Sequence, residues 1–331
     1  MNSWRSFHLF YAQPEHADLL AIATARILRD LTDSHDDWFF IRYAEGGAHL
    51  RIRVGQRIDP VYDAFRAQAA AECAALADNV PVSEWVRSIG YPDSLGTLFP
   101  PGAIADVEYV PETRRYGGPH ALKENERLFR LSTAIAVRVI DLTVADHRKR
   151  ARLAIDLMLM TAAATDCCNA SPSAFFSTYA IGWSNGPTGG GGALAGKALV
   201  ADGMASRFDA HRAFLASGRP ADSLVGHWGV AVGQAYRTFM AMAEDGLLIS
   251  PIQARSPTDE VERSRAIAGM FYSQIHMMNN RLGFAPQTEI LWSESIAAHF
   301  GDPAKPSDFP LDELRLALGM RAARPFREPP S

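Results

Sequence analysis

Between residues 38 and 54 the chain reads WFFIRYAEGGAHLRIRV, alternating on both sides of Gly46-Gly47. Period-two alternation around a glycine turn predicts a β-hairpin. The second arm puts Leu50, Ile52 and Val54 on one face and His49, Arg51 and Arg53 on the other. Upstream, Ser6–Gln13 reads as an aromatic-rich strand, and Pro14 opens a helix to about Arg29 with Leu19, Leu20, Ala23 and Ile27 inward. Downstream, Asp59-Pro60 starts a second helix to about Leu76, with Val61, Phe65 and Cys73 inward. A Pro- and Gly-rich loop then leads to a strand over Ile104–Val110. Strand, helix, strand, strand, helix, strand is the split β-α-β order of ferredoxin-like antiparallel sheets with helices on one face.

Beyond Gly118 the period changes to that of helices. One stripe carries Leu122, Phe129, Ala136 and Ile140, then Leu153, Leu157 and Met160, to about Cys168. Ser171-Pro172 opens a helix carrying Phe175, Phe176 and Tyr179. Gly186–Leu194 (GPTGGGGAL) interrupts the pattern. Helices resume over Met204–Ala216 and Ser223–Ala243, and Ser256-Pro257 starts a long one that Gly283 stops after Leu282. The tail from Pro303 is partly helical. The expected fold class is α+β: a ferredoxin-like sheet lobe (1–118) followed by, and packed against, a helical lobe (119–331).

Composition narrows the picture. The 331 residues are 47% hydrophobic and 21% charged, as in a globular protein. A net charge of −4 argues against general nucleic-acid binding. Cys73, Cys167 and Cys168 form neither a disulfide framework nor a metal motif, and read as reduced thiols. No signal peptide and no membrane-spanning run is visible, so the expected location is cytoplasmic, with no membrane contact. HExxH, phosphate-loop and nucleophile-elbow patterns are missing, and no metal or cofactor is expected.

Three segments carry candidate chemistry. The His49, Arg51 and Arg53 face is either washed by solvent or lines a site for an anion, since guanidinium groups bind carboxylates bidentately. In Tyr109–Gly118 (YVPETRRYGG) a basic pair precedes a Gly-Gly turn that permits close backbone approach. In Ser273–Gly283 (SQIHMMNNRLG), four-residue spacing puts His276 and Asn280 on one helix face. There His276 is either a satisfied core residue or a proton carrier.

Taken together, WFFIRYAEGGAHLRIR, YVPETRRYGG followed by NERLF (125–129), and HMMNNRLG (276–283) resemble the thiopeptide-type bacteriocin biosynthesis domain. This is the small C-terminal domain of class I lantibiotic dehydratases, here in a free-standing form. The resemblance implies elimination of glutamate from glutamylated Ser or Thr in a ribosomally made precursor peptide, leaving dehydroalanine or dehydrobutyrine. It implies catalytic roles for Arg51, Arg53, Arg115 and His276: His276 moves protons, Arg51 serves the reacting ester, and Arg53 and Arg115 hold carboxylates or the enolate. His49, Tyr116, Asn280 and Arg281 are the neighbouring substrate-binding candidates. The arginine strand and the His276 helix are expected to converge within ~10 Å, as direct contacts to one reacting group require. The implied partners are the precursor peptide and a separate tRNA-dependent glutamylating subunit; a homodimer is left open. Leu131-Ser132, where the family often has Asp-Ser, and the Gly-rich segment depart from the pattern. Two alternatives stay open: a thiopeptide pyridine synthase performing a formal [4+2] cycloaddition of two dehydroalanines with leader loss, and a non-catalytic precursor-binding subunit.

Overall fold

A computed structural model describes residues 4–77, 98–165, 172–184, 203–301 and Leu314. The readings made for the 78–97 part of the first loop, Cys167, Cys168, Ser171, the Gly186–Leu194 segment and nearly all of the tail lie outside the described residues. The chain is α+β. It divides into two compact units, neither a single stretch: 1–111 with 129–150 and 280–283, and 112–128 with 151–279 and 284–331.

In the first unit, β1 (Arg5–Phe10), β2 (Trp38–Tyr43), β3 (His49–Val54) and β4 (Ile104–Asp106) form a sheet in the order β2-β3-β1-β4. Every neighbouring pair is antiparallel. This is the split β-α-β arrangement expected from the alternation. One face carries Phe7, Leu9, Phe40, Leu50, Ile52 and Val54, all fully buried. Helices α1 (Pro14–Leu31) and α2 (Tyr62–Ala77) pack on that side. Full burial of each such side chain is worth about 1.5–3 kcal/mol, which fixes the strand register.

Several boundaries move, each for a local reason. The inward stripe of α1 runs through Ala17, Leu20, Ala21, Thr24, Ile27 and Leu28, and Leu19 is exposed. Asp59-Pro60 sits in a 3-10 turn (Gln56–Val61), so α2 begins at Tyr62, which is buried in place of Val61. β4 ends at Asp106, and the Tyr109 ring lies edge-on to Phe39, 5.9 Å between centroids. Cys73 is buried as expected, its thiol donating to the Phe10 carbonyl and pushed up to about 11 by burial.

The hairpin turn requires glycine. Gly46 and Gly47 have φ of 81° and 112°, and a Cβ on Gly47 would stand 3.1 Å from the Phe99 carbonyl oxygen.

The helical run after Gly118 is two helices, α3 (Gly118–Leu142) and α4 (His147–Ala164). Asp146 separates them by capping α4, its carboxylate accepting from the Lys149 N–H at 2.8 Å. There follow α5 (Pro172–Trp183), α6 (Met204–Ser217), α7 (Leu224–Glu244), α8 (Glu260–Leu282) and α9 (Pro286–His299). The N-cap of α8 is Asp259, which accepts from Glu262 N–H at 2.8 Å, so the helix starts later than Ser256-Pro257 predicts. Helix α9 was not read from the sequence, and in the second unit it packs on α5.

Candidate active site

The sheet face opposite α1 and α2 carries Ser6, His8 and Phe10 of β1 beside Arg53, Arg51 and His49 of β3, with Phe39, Ile41 and Tyr43 of β2 on the other flank. It is not a solvated surface: His49 is 1% exposed and Arg53 8%. The His49 ring stacks on His8 at 4.5 Å between centroids and packs against Phe10 at 4.8 Å. Its Nδ1 lies 2.7 Å from the Gly47 carbonyl oxygen, and Arg51 Nε donates to its Nε2 at 3.2 Å. A ring that donates through Nδ1 and accepts through Nε2 is neutral. Burial, joined by the nearby arginines, pushes His49 down to about 4; burial, His49 and those arginines push His8 down to about 3. The face of three basic residues therefore carries two arginines and a neutral imidazole.

Arg51 is held on two sides. His49 takes its Nε, and the Tyr43 ring lies 3.4 Å below its guanidinium carbon. Among the described residues no carboxylate pairs with Arg51, and none accepts from its terminal nitrogens. The Arg53 guanidinium sits 4.9 Å from the Tyr109 ring and 5.5 Å from Phe39.

Asn280 and Arg281, candidate substrate ligands, belong to the same unit and have tasks there. The Asn280 side chain accepts from the Arg42 N–H at 2.8 Å and donates to the Arg42 carbonyl at 3.0 Å. The Arg42 guanidinium donates to the Arg281 carbonyl and to Asp18. Arg281 is 1% exposed and donates to Thr133 at 3.2 Å. Although one turn from His276, these residues fasten the end of α8 to β2.

In the second unit, Arg115 and His276 come together. Gly117 and Gly118 have φ of 82° and 90°, and a Cβ on either would stand 2.4 Å from Met270 Sδ or 2.8 Å from Ile249. Only a glycine turn can sit so close to α8. Asn125 of NERLF secures it, donating to the carbonyl of the buried Tyr116 at 3.1 Å and accepting from Gln274 at 2.7 Å. Arg115 then donates through Nε to Ser273 Oγ at 3.1 Å and through Nη1 to the Glu112 carboxylate at 3.3 Å. Its buried Nη2 has no hydrogen-bond partner.

One turn along α8, His276 Nδ1 is 3.2 Å from both carboxylate oxygens of Glu289. The Glu289 side chain is 1% exposed, and its Oε2 also accepts from the Tyr179 hydroxyl. Burial, then Glu289, raise Tyr179 well above its ordinary range, so the phenol keeps its proton. Trp183 lies against the imidazole at 4.0 Å and 5.9 Å from the Arg115 guanidinium carbon. Tyr179, Trp183 and Glu289 were not singled out from sequence. The available signal was Ala285-Pro286, a helix start, followed by Glu289, Trp292 and Ile296 on one stripe, which places a carboxylate on a buried face.

Residues 4–300 match the family model described as lantibiotic biosynthesis dehydratase C-term. The chain belongs to that family. Lantibiotic dehydratase C-terminal domains modify ribosomally made precursor peptides, and this chain is accordingly a member of a family of peptide-modifying enzymes. The fold is similar to that of the pyridine synthase TbtD from thiomuracin biosynthesis: TM-score 0.61 at 16% identity, covering 96% of this chain and 100% of that one. It is similar to TsrL at TM-score 0.62 and 13% identity, over 95% and 98% of the two chains. The tRNA-dependent lantibiotic dehydratase MibB from Microbispora sp. 107891 matches at TM-score 0.51 and 19% identity, over 89% of this chain and 28% of MibB. No curated protein matches the sequence. No helix among the described residues is long and apolar enough to cross a membrane, and no cluster of metal-ligating side chains occurs among them.

Proposed function

We propose that this lantibiotic dehydratase C-terminal domain eliminates glutamate from glutamylated Ser or Thr of a precursor peptide. The observation that carries the reading is His276: with Nδ1 engaged by buried Glu289, its Nε2 is the nitrogen that takes a proton. In the step, the α-carbon–hydrogen bond breaks and its proton passes to Nε2. The electron pair forms an enolate, then the α,β double bond, as the β-carbon–oxygen bond breaks and glutamate leaves as a carboxylate. Peptide α-protons are weakly acidic, so the enolate needs fixed donors. The unpartnered Nη2 of Arg115 suits an enolate oxygen or a carboxylate of glutamate. The precursor peptide and a separate tRNA-dependent glutamylating subunit are the partners of this reading, in the cytoplasm.

The end-to-end correspondence with TbtD favours a second reading, cycloaddition of two dehydroalanines with loss of the leader. Cycloaddition expels no glutamate and would leave the arginines without a leaving anion to hold. Glutamylated precursor peptide incubated with the protein should lose glutamate, seen as a mass change. His276→Ala should slow this by about 10²–10⁴-fold, the range of a lost general base. An inert glutamylated peptide together with a macrocycle formed from dehydrated peptide would overturn elimination in favour of cycloaddition.

A further inference from the structure

The His276 cluster contains a buried carboxylate that the reaction itself does not consume. We infer that Glu289, oriented by the Tyr179 hydroxyl, is the positioning residue that locks His276 as its Nδ1–H tautomer and aims Nε2 at the peptide. The inference rests on the elimination reading for its purpose and on the packing of the second unit for its geometry.

Each side of the imidazole is accounted for by a named element. Helix α9 supplies Glu289, whose two oxygens stand equally distant from Nδ1 at 3.2 Å. Helix α5 supplies Tyr179, which donates to Oε2, and Trp183, whose ring fixes the plane of the imidazole at 4.0 Å. The Arg115 guanidinium carbon is 5.9 Å from the Trp183 ring, and Arg115 is tied to Ser273, one turn before His276 on α8. A carboxylate acceptor and a phenol proton donor leave one sensible hydrogen arrangement: the phenol donates to Glu289, and Nδ1–H donates to Glu289. Nε2 then carries the lone pair. As a proton arrives at Nε2, the imidazolium sits against a preorganised negative charge in a water-poor site, where such stabilisation is greatest. The close Trp183 ring and a buried carboxylate also remove the rotational freedom that would let His276 present the wrong nitrogen.

The test starts from the wild-type protein, so it does not depend on a variant that folds. With ¹⁵N-histidine labelling, the His276 signals are those missing in His276→Asn. Long-range ¹H–¹⁵N correlations should show Nδ1 protonated and Nε2 bare in the neutral ring. Glu289→Leu should release that preference to a tautomer mixture. In the elimination assay Glu289→Gln should lower kcat by about 10- to 100-fold with KM for the peptide within twofold, because the charge is lost while the shape is kept. Glu289→Asp should recover part of the loss, and Tyr179→Phe should cost about tenfold. A wild-type His276 protonated on Nε2, or a Glu289→Gln enzyme within twofold of wild type, overturns the inference and leaves elimination standing. Correct tautomers in a wild-type protein that leaves glutamylated peptide intact would instead overturn elimination and leave the hold of Glu289 on His276 intact.

Discussion

The two units use histidine and arginine in opposite ways. On the sheet, His8 and His49 are buried beside arginines, and a single peptide carbonyl takes the one proton His49 carries. Their rings behave as aromatic spacers, and His49 also serves as an acceptor that aims Arg51. Among the helices, His276 is set against a buried carboxylate, and Arg115 keeps one nitrogen without a partner. Burial alone thus does not say what a histidine does. The neighbouring groups decide whether the ring is packed as filler beside cations or set against a carboxylate.

The contrast is sharpest where a cation should be irreplaceable. Arg115→Gln should lower kcat/KM for glutamylated peptide by about 10²–10³-fold, the effect of removing a donor to a developing oxyanion. Steady-state kinetics on the folded variant check this, and a loss under tenfold would remove Arg115 from the reaction.

The neutral histidines should show themselves in stability instead. His8 has its folded value lowered to about 3 and His49 to about 4, from 6.5. Between those values and 6.5 the unfolded chain binds more protons, so stability rises with pH through this window and is fully present above it. His8 should account for about 3 kcal/mol of stability lost between pH 6.5 and 4. Urea unfolding of wild type and His8→Phe across that window should show a shallower pH slope in the variant; identical slopes would mean His8 is protonated in the fold.

Asn280 gives the smallest effect and the cleanest separation of roles. Asn280→Ala removes two hydrogen bonds to Arg42 and should cost about 1–2 kcal/mol of unfolding free energy. Activity should fall only as far as folded protein does. A rise in KM out of proportion to that loss would return Asn280 to the substrate.

Much of this was legible in the residues. The alternation of 38–54 gives the hairpin and the shared face of His49, Arg51 and Arg53, because side chains of a regular strand point to alternate faces. His276 and Arg115 stand out as polar groups in apolar or glycine-rich surroundings. The neutrality of His49 was not legible, since it follows from its burial under His8 and Phe10 across the sheet and from its bonds to Gly47 and Arg51, a setting that one strand does not reveal. Glu289 was missed because α9 has few apolar residues in its first turn, and a lone acid there reads as solvent-facing. In the fold Tyr179 of α5 and His276 of α8 lie against it. The start of α8 was displaced by the Asp259 cap, a local contact that outweighs propensity.

The grip of Asn280 on Arg42 has a further meaning. Among the described residues β2 is an edge strand, and a bare edge invites pairing with other chains. At Arg42 a side-chain amide takes the place of the missing strand, satisfying the backbone N–H and carbonyl together. The end of α8 therefore acts as a guard on the sheet, and variants that loosen it should self-associate through β2 well before the sheet itself unfolds.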